Sequence, residues 1–238
     1  MRTVEEHQRV VAELIAAGRP VTVGLAEAEG RVLAQDVAAP LSLPVFDNSA
    51  MDGYAVRAQD VAAATAAGPV ELTVIDDVPA GFRSVETVSA GQAVRIMTGA
   101  PMPDGADAVV PVEATDGGTP VVAVMSPVGV GAHVRRAAED VVAGETILRA
   151  GTVIGARQAA ILAAVGCGLV VVHPRPRVAV ISTGSELVEP GTPLRRGLIS
   201  DSNSYLLVAA CAEAGADAYR VGPVIDDEGA VMAAVEDQ

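Results

Sequence analysis

The sequence predicts a multidomain protein of mixed α+β and α/β class. In this prediction a helical domain carries an inserted small β domain and is followed by an incomplete doubly wound parallel α/β domain. Three observations support it: apolar residues at helical spacing near the start, short β-branched runs in the middle, and alternating strand and helix patterns at the end. The chain has 238 residues, of which 50% are hydrophobic, so a substantial core can form.

The helical domain is predicted from two separated segments, residues 1–43 and 141–173. Thr3 and Glu6 have the spacing of a capping box, and the apolar residues after them recur at helical spacing as far as Gly18. The other predicted elements are a helical turn at 25–28, a strand near 31–37, a helix over 155–165 and a strand over 169–172. Because the two long helices flank the β region, we expect the β domain to be an insertion into the helical domain.

Residues 44–140 are predicted to form the inserted β domain. Their β-branched runs are separated by Gly, Pro and Asp, and short runs at roughly ten-residue spacing are typical of a small β domain. The predicted strands are 70–75, 85–88, 94–97, 108–112 and 121–125. Nothing in the sequence determines how these strands pair.

The last predicted domain covers residues 177–238, after a Pro174-Arg-Pro176 linker. Its apolar strands and intervening helices are typical of a doubly wound parallel sheet. The predicted elements are a strand at 178–181, a helix at 203–214, a strand at 218–221 and a helix at 227–235. Two strands with two helices do not cover both faces of a sheet, so we expect this domain to be incomplete and the sequence to be part of a longer protein.

The charge of the chain limits its ligands. Sixteen basic residues, all of them arginine, against thirty acidic ones give a net charge of −14, which argues against a nucleic-acid surface. An anionic ligand would have to meet local cations, either Arg135-Arg136, Arg195-Arg196 or a divalent metal held by carboxylates; alternatively, the paired arginines only solvate loops. No leader follows Met1 and no apolar run reaches about 18 residues, so we expect a cytoplasmic protein without a membrane span.

Two strings in the β region carry the most information. The first, residues 44–56, reads Pro-Val-Phe-Asp-Asn-Ser-Ala-Met-Asp-Gly-Tyr-Ala-Val, and its Asp52-Gly53 step is either a hairpin entry or a turn that presents a carboxylate. The second, residues 94–110, places Thr98 directly before Gly99. Together the two strings closely resemble the molybdopterin molybdenumtransferase family, whose members insert molybdenum into molybdopterin.

Further acidic residues follow the predicted strands of the α/β domain, at the edge where such sheets bind ligands. Glu186 ends the string Ser-Thr-Gly-Ser-Glu, which resembles the family, although Ser185 stands where the family usually has an acid. Asp227 is better explained as a helix N-cap, whereas the role of Asp226 stays open. The family-like string Ser200-Asp-Ser-Asn203 is explained equally well as the cap of the following helix.

The resemblance implies an active cleft lined by five residues carried over position by position: Asp52, Thr98, Asp140, Glu186 and Asp226. Ala138 departs from the family, which usually has a glycine before the pair Glu139-Asp140. The residues predicted to bind the cofactor precursor are Ser49, Arg135, Arg136, Thr183 and Gly184. The metal ligands and the role of each carboxylate stay open.

The implied substrates are adenylylated molybdopterin and molybdate, and the implied products are the molybdenum cofactor and AMP. Mg²⁺ is the implied cofactor, because a pyrophosphate and an oxyanion repel one another unless a cation lies between them. The resemblance also implies a homodimer, with the molybdopterin adenylyltransferase as a further candidate partner.

Two other functions compete with this one. A non-catalytic dimerisation or scaffold relative would not need to keep Asp52, Thr98, Asp140 and Glu186, so their presence argues against it. An unrelated nucleotide-binding α/β protein would require a glycine-rich phosphate loop, which Thr183-Gly-Ser-Glu does not provide.

Overall fold

The computed structural model describes residues 2–238, which form two compact units. The terminal unit comprises the described residues up to Val37, Leu148–Ala163 and Gly168–Gln238, and the sheet unit comprises Ala38–Ile147 and Ala164–Cys167. Each unit is described by itself below. The three-domain division made from the sequence stays a prediction.

The chain contains five α-helices and fifteen strands within the described residues, together with short 3₁₀ helices at Ala58–Val61 and Val112–Ala114. The helices are α1 (Val4–Leu14), α2 (Leu25–Ala28), α3 (Ala156–Ala164), α4 (Asn203–Glu213) and α5 (Glu228–Glu236). The strands are β1 (Val21–Gly24), β2 (Val37–Ala38), β3 (Asn48–Ser49), β4 (Gly53–Val56), β5 (Val70–Val78), β6 (Gln92–Ile96), β7 (Ala108–Pro111), β8 (Val121–Val124), β9 (Val134–Arg135), β10 (Thr146–Leu148), β11 (Leu169–Val172), β12 (Arg177–Thr183), β13 (Leu187–Val188), β14 (Ile199–Ser200) and β15 (Asp217–Val224). Of the described helices, none combines the length and apolar character needed to cross a membrane.

The terminal unit begins with the predicted capped helix. Thr3 Oγ1 accepts a hydrogen bond from the Glu6 amide at 3.2 Å, and the Glu6 carboxylate accepts one from the Thr3 amide at 2.9 Å, so the predicted capping box of α1 is confirmed. Strand β1 then pairs antiparallel with β11. The strand expected near 31–37 is largely wrong, because only its last residue belongs to β2 and only Val32 and Leu33 form isolated bridges.

The α/β part of the terminal unit contains the predicted parallel pair. Strand β12 runs parallel to β15, with Arg177 opposite Asp217 and Val180 opposite Arg220. Helix α4 connects them, as parallel strands require a crossover. Asp227 caps α5 by accepting a hydrogen bond from the Ala230 amide at 2.9 Å, which confirms the predicted N-cap.

The sheet unit is built on a five-stranded mixed sheet in the order β7-β4-β6-β5-β8. Alternate residues of β4 pack into two different buried clusters, Tyr54 and Val56 on one face and Ala55 on the other. Both faces of the sheet centre are therefore buried. Gly53 begins β4 and is required there, because a Cβ at this position would collide with the carbonyl oxygen of Val110 on β7.

One of the two alternatives for Asp52-Gly53 and one predicted strand of the sheet unit are wrong. Strand β4 pairs with β6 and β7 and not with the preceding β3, so Asp52-Gly53 is not a hairpin turn. The β-branched run at 85–88 is not a strand, because β5 and β6 are parallel and the residues between them form the crossover. The other predicted strands of this region are confirmed.

Residues near the two ends of the segment Ala38–Ile147 are joined by backbone hydrogen bonds. The Ala39 amide donates to the Glu145 carbonyl at 2.8 Å, and the Gly144 amide donates to the Ala39 carbonyl at 2.8 Å. Leu43 and Val141 form a further bridge nearby. The two ends of the longer segment of the sheet unit, Ala38–Ile147, therefore lie close together.

Candidate functional site

Asp52 and Thr98 are joined at one edge of the mixed sheet. Asp52 precedes β4 and Thr98 follows β6, and these antiparallel strands place Gly53 opposite Ile96. Asp52 Oδ1 accepts hydrogen bonds from the Thr98 amide at 2.7 Å and from its hydroxyl at 2.8 Å. The bond from the Thr98 amide has the larger effect and the bond from the hydroxyl the smaller one, and together they hold the pKa of the Asp52 carboxyl below its usual 3.8. An exposed, ionised and oriented carboxylate results.

A small cavity of about 140 Å³ lies beside this carboxylate. Asp52, Gly53, Arg95, Met97 and Val112 line it. Arg95 also forms a long ion pair of 3.5 Å with an aspartate on β5. This arginine was not predicted from the sequence, although a charged residue between two buried strand positions was a usable signal.

The two motif strings lie side by side in the sheet unit. The Gly99 amide donates to the Ser49 carbonyl at 2.8 Å, and the Ser49 amide donates to the Ala100 carbonyl at 3.0 Å. The Ser49 hydroxyl is buried and donates to the Met51 carbonyl at 2.5 Å, so it serves its own turn. This backbone pairing places the residues after Thr98 against the residues before Asp52.

A second cavity, of about 370 Å³, adjoins the same pairing. Asp140 and Arg135 are its charged lining residues, and both are exposed. Its other lining residues are Leu43, Pro44, Val45, Phe46, Asn48 and Gly99. Within residues 2–238, Arg135 forms no salt bridge and the Asp140 carboxylate accepts no hydrogen bond. Both side chains are therefore available to a ligand.

Arg136 differs from its neighbour, because its charge is neutralised internally. Its Nη1 donates to Asp47 Oδ2 at 2.6 Å, and the Ala137 amide donates to Asp47 Oδ1 at 2.8 Å. Both bonds lower the pKa of the Asp47 carboxyl, and the bond from the Ala137 amide has a larger effect than the bond from the Arg136 guanidinium. Of the two predicted arginines, Arg135 faces the cavity and Arg136 holds the loop.

The loop that carries Asp140 contains the departure noted from the family pattern. Ala138 has φ of 61°, a left-handed conformation that glycine adopts at less cost. Its amide donates to the Pro44 carbonyl and the Asp140 amide donates to the Leu43 carbonyl, both at 2.9 Å. The conformation is thus kept without glycine by backbone hydrogen bonds on both sides.

The remaining predicted site residues belong to the terminal unit. Glu186 lies on the exposed turn after β12, and its carboxylate folds back over Gly184, where a Cβ would be 2.8 Å from Glu186 Oε2. The Asp226 amide, after β15, donates to Ser185 Oγ at 3.2 Å. The structure therefore brings Thr183, Gly184, Glu186 and Asp226 to the carboxyl ends of the parallel strands, as predicted.

A buried polar network supports this edge. Asp201, only 1% exposed, accepts hydrogen bonds from Ser182 Oγ at 3.1 Å and from the amide and hydroxyl of Ser204 at 3.1 and 2.5 Å. Burial acts to raise the pKa of the Asp201 carboxyl, but its hydrogen bonds outweigh burial and lower it. Arg220 Nη2 contacts Asp201 at 3.4 Å and Glu189 at 2.8 Å. The Glu189 bond is the main reason that the pKa of Arg220 is raised.

Comparison with known proteins identifies the family. A family model described as the MoeA N-terminal region (domain I and II) matches residues 2–166. This chain belongs to the MoeA family. A second model, described as a probable molybdopterin binding domain, matches residues 179–238. The family predicted from the two motif strings is therefore confirmed.

The relatives of this MoeA-family chain are longer than it is. Molybdopterin molybdenumtransferase 2 of Mycobacterium tuberculosis is 55% identical over 227 residues, covering 95% of this chain and 56% of the relative. Molybdopterin molybdenumtransferase 1 of the same species is 43% identical over 253 residues, covering 100% of this chain and 59% of the relative. The chain thus spans little more than half the length of these curated relatives.

A solved structure shares the fold of the MoeA-family chain. The molybdopterin biosynthesis MoeA protein from Pyrococcus horikoshii OT3 is 37% identical, with a TM-score of 0.82 over 92% of this chain and 58% of that one. The predicted mixed α+β and α/β fold class is therefore confirmed.

Metal ligands are sparse in the part of this MoeA-family chain that the structure describes. No group of three or more His, Cys, Asp or Glu side chains in residues 2–238 is arranged to hold an ion. Mg²⁺ commonly needs only one or two carboxylates when phosphates complete its coordination. The free carboxylate of Asp140 fits that mode of binding, whereas the carboxylate of Asp52 is already oriented by Thr98.

Proposed function

We propose that this chain contributes to the insertion of molybdenum into adenylylated molybdopterin, a transfer from molybdate that yields the molybdenum cofactor and AMP. The observation that carries the proposal is the Asp52–Thr98 pair, which stands in the motif strings of a family whose relatives are named molybdopterin molybdenumtransferase. The chain covers only 56% and 59% of the length of those relatives. The activity therefore has to be tested on the complete gene product.

The proposed substrate is strongly anionic, and the net charge of the chain is −14. Binding therefore depends on local cations, and Arg135 is the one that faces the larger of the two site cavities. We assign Arg135 to the phosphate groups of the substrate. Arg136 would act indirectly, because its bond to Asp47 fixes the loop that precedes Asp140.

Asp140 is the residue we assign to Mg²⁺, in company with phosphate oxygens of the substrate. The chemistry that the ion supplies is charge neutralisation at the pyrophosphate that is cleaved. Asp52, held by Thr98 in one orientation, would position a substrate oxygen or a water molecule through its free carboxylate oxygen, Oδ2. Ser49 would contribute through its backbone, since its hydroxyl is occupied.

The terminal unit would supply the molybdopterin side of the reaction. The match of residues 179–238 to a probable molybdopterin binding domain supports this assignment, as does the convergence of Glu186 and Asp226 at the strand ends. Thr183 and Gly184 would contact the ligand at the same edge. We assign membership of the site to these residues and leave their individual roles open.

A homodimer and a cytoplasmic location belong to the same proposal. Helix α1 supports the homodimer, because its apolar residues Val4, Val11 and Leu14 are all exposed. The enzyme that adenylylates molybdopterin is the partner expected to deliver the substrate. Size-exclusion chromatography with light scattering tests the oligomeric state.

Complementation tests the proposed function. The complete gene product should restore the activity of a molybdenum-dependent enzyme in cells that lack their own molybdenumtransferase. Asp52→Asn should reduce AMP release from adenylylated molybdopterin by about a hundredfold, because a positioning group is lost. Glu71→Gln, which alters an exposed carboxylate on β5, should not change it. Full activity of the Asp52 variant would contradict the role assigned to Asp52, whereas no AMP release by the complete wild-type product would favour a scaffold role. The 238-residue chain alone should release little or no AMP.

A further inference from the structure

The two phenylalanines of this chain occupy unusual positions. The sequence contains only two phenylalanines and no tryptophan. Both phenylalanines are exposed, Phe46 by 47% and Phe82 by 68%, and both line one cavity of about 490 Å³ in the sheet unit. Exposed aromatic rings forfeit a large apolar contribution to folding. Two of them at one concave site indicate a surface built for a ligand.

One side of this aromatic cavity is held by backbone hydrogen bonds. Asn48, which is buried, donates from Nδ2 to the Phe46 carbonyl at 3.1 Å and forms a β-bridge with Pro101. The Met102 amide donates to the Asp47 carbonyl at 2.9 Å. Phe46 and Pro101 therefore form a preorganised wall, which lowers the entropic cost of binding.

The opposite side is formed by the crossover between β5 and β6. Gly81, with φ of 88°, allows the turn that presents Phe82, whose amide donates to the Pro79 carbonyl at 3.2 Å. The crossover is anchored behind this turn by Ser84, whose hydroxyl donates to Asp76 Oδ2 at 2.6 Å. Phe82 is thus carried on a short anchored turn.

The charges around the cavity specify the kind of ligand. Arg83 lies at its edge and forms no salt bridge within the described residues. Phe46 also lines the neighbouring cavity that contains Arg135. A ligand whose planar ring lies between Phe46 and Phe82 can therefore place an attached anionic group near Arg83 or near Arg135. The volume lies within the range of about 300 to 1,000 Å³ found for small-molecule sites.

We infer that the cavity between Phe46 and Phe82 is a binding site for a planar heteroaromatic ring attached to a phosphate. The inference rests on the proposed function for its choice of ligands, since adenylylated molybdopterin contains two such rings, an adenine and a pterin. Ring binding requires no turnover, so its failure is distinguishable from failure of the proposed reaction.

Calorimetric titration of the complete gene product tests the inference with three probes. AMP and neopterin monophosphate carry the two candidate rings, and ribose 5-phosphate carries phosphate without a ring. At least one ring-bearing probe should bind at least about fivefold more tightly than ribose 5-phosphate, because stacking on an aromatic side chain strengthens binding by that factor or more. The tighter of the two identifies the ring that the site takes.

Variants locate the binding. Phe82→Ala should lower the affinity for the ring-bearing probe by about fivefold to a hundredfold, and Phe82→Trp should preserve that affinity. Phe46→Leu, which keeps apolar volume without the ring, is a second test in case the first variant changes the turn. Val85→Ala alters an exposed residue of the same crossover outside the cavity and serves as the matched control. Equal binding of all three probes, or unchanged binding by both phenylalanine variants, would overturn the inference.

Discussion

Asp52 Oδ1 accepts two hydrogen bonds from Thr98, one from its amide and one from its hydroxyl, although the residues lie 46 positions apart. The bonds lower the pKa of the Asp52 carboxyl, so they stabilise the fold above the ordinary value of 3.8 and are lost as the pH falls through the folded value. The relationship is accessible to measurement because the carboxylate is exposed.

Thr98→Val removes the hydroxyl and keeps the amide. We expect the pKa of Asp52 to rise part of the way towards its ordinary value, since one of two hydrogen bonds to the charged form is lost. Titration of the carboxyl carbon by NMR measures this change. Thr73→Val, an exposed substitution on β5, is the control and should leave the Asp52 titration unchanged. An unaltered Asp52 pKa in the Thr98 variant would contradict the assigned bond.

Asp201→Ala should destabilise the chain strongly. The substitution leaves the Ser182 and Ser204 hydroxyls and the Arg220 guanidinium without their buried acceptor. We expect a loss of about 3 kcal/mol in the free energy of unfolding. Denaturant titration at pH 7 measures it, and Asp217→Ala, which removes an exposed carboxylate on β15, should change stability by less than about 0.5 kcal/mol.

The contribution of Asp201 should also depend on pH. Because its pKa is lowered in the folded state, its contribution is fully present above the ordinary value of 3.8 and is lost as the pH falls through the lowered value. The stability difference between wild type and Asp201→Ala should therefore shrink on acidification. A difference that stayed constant down to the acid transition would show that the carboxylate does not carry it.

Gly53→Ala should weaken the sheet unit. The added Cβ would collide with the Val110 carbonyl oxygen, which belongs to the neighbouring backbone and cannot move aside. We expect a cost of about 2 to 4 kcal/mol, measured by thermal or denaturant unfolding. Gly129→Ala is the matched control, because a Cβ added there would meet no atom within 4 Å and the φ of Gly129 is ordinary. Equal stability of the two variants would rule out the close strand approach.

Ala138→Gly should stabilise the loop that carries Asp140. Glycine removes the left-handed strain of about 1 to 2 kcal/mol, but its greater freedom in the unfolded chain offsets part of this gain. We expect the free energy of unfolding to rise by about 0.5 kcal/mol. Ala138→Val should instead cost about 1 to 2 kcal/mol, because a branched side chain tolerates positive φ poorly. The order Gly, Ala, Val in melting temperature is the expected result, and the reverse order would exclude a left-handed residue here.

Local signals in the sequence predicted much of this fold. The capping box of α1, the N-cap of α5 and most strands follow from residue types within a few positions of one another. The pairing of the sheet did not follow, because the parallel contact of β5 with β6 depends on residues far apart in the chain. The same reason explains the misassigned strand at 85–88.

The candidate site was predicted unevenly. The Asp52 and Thr98 positions came from resemblance, and their direct bond required the antiparallel register of β4 and β6. The string that contains Asp201 predicts a helix cap, and Asp201 does accept a hydrogen bond from the Ser204 amide in the first turn of α4. Its contacts with Ser182 and Arg220 depend on tertiary packing, which no local pattern contains.

The hydrogen bonds between Ala39 and the segment 144–145 have an evolutionary consequence. A long segment whose two ends meet occupies no more of the path of the chain than a tight turn would. The segment between Ala39 and Gly144 can therefore change in length and sequence over evolution while the place where its ends close stays fixed.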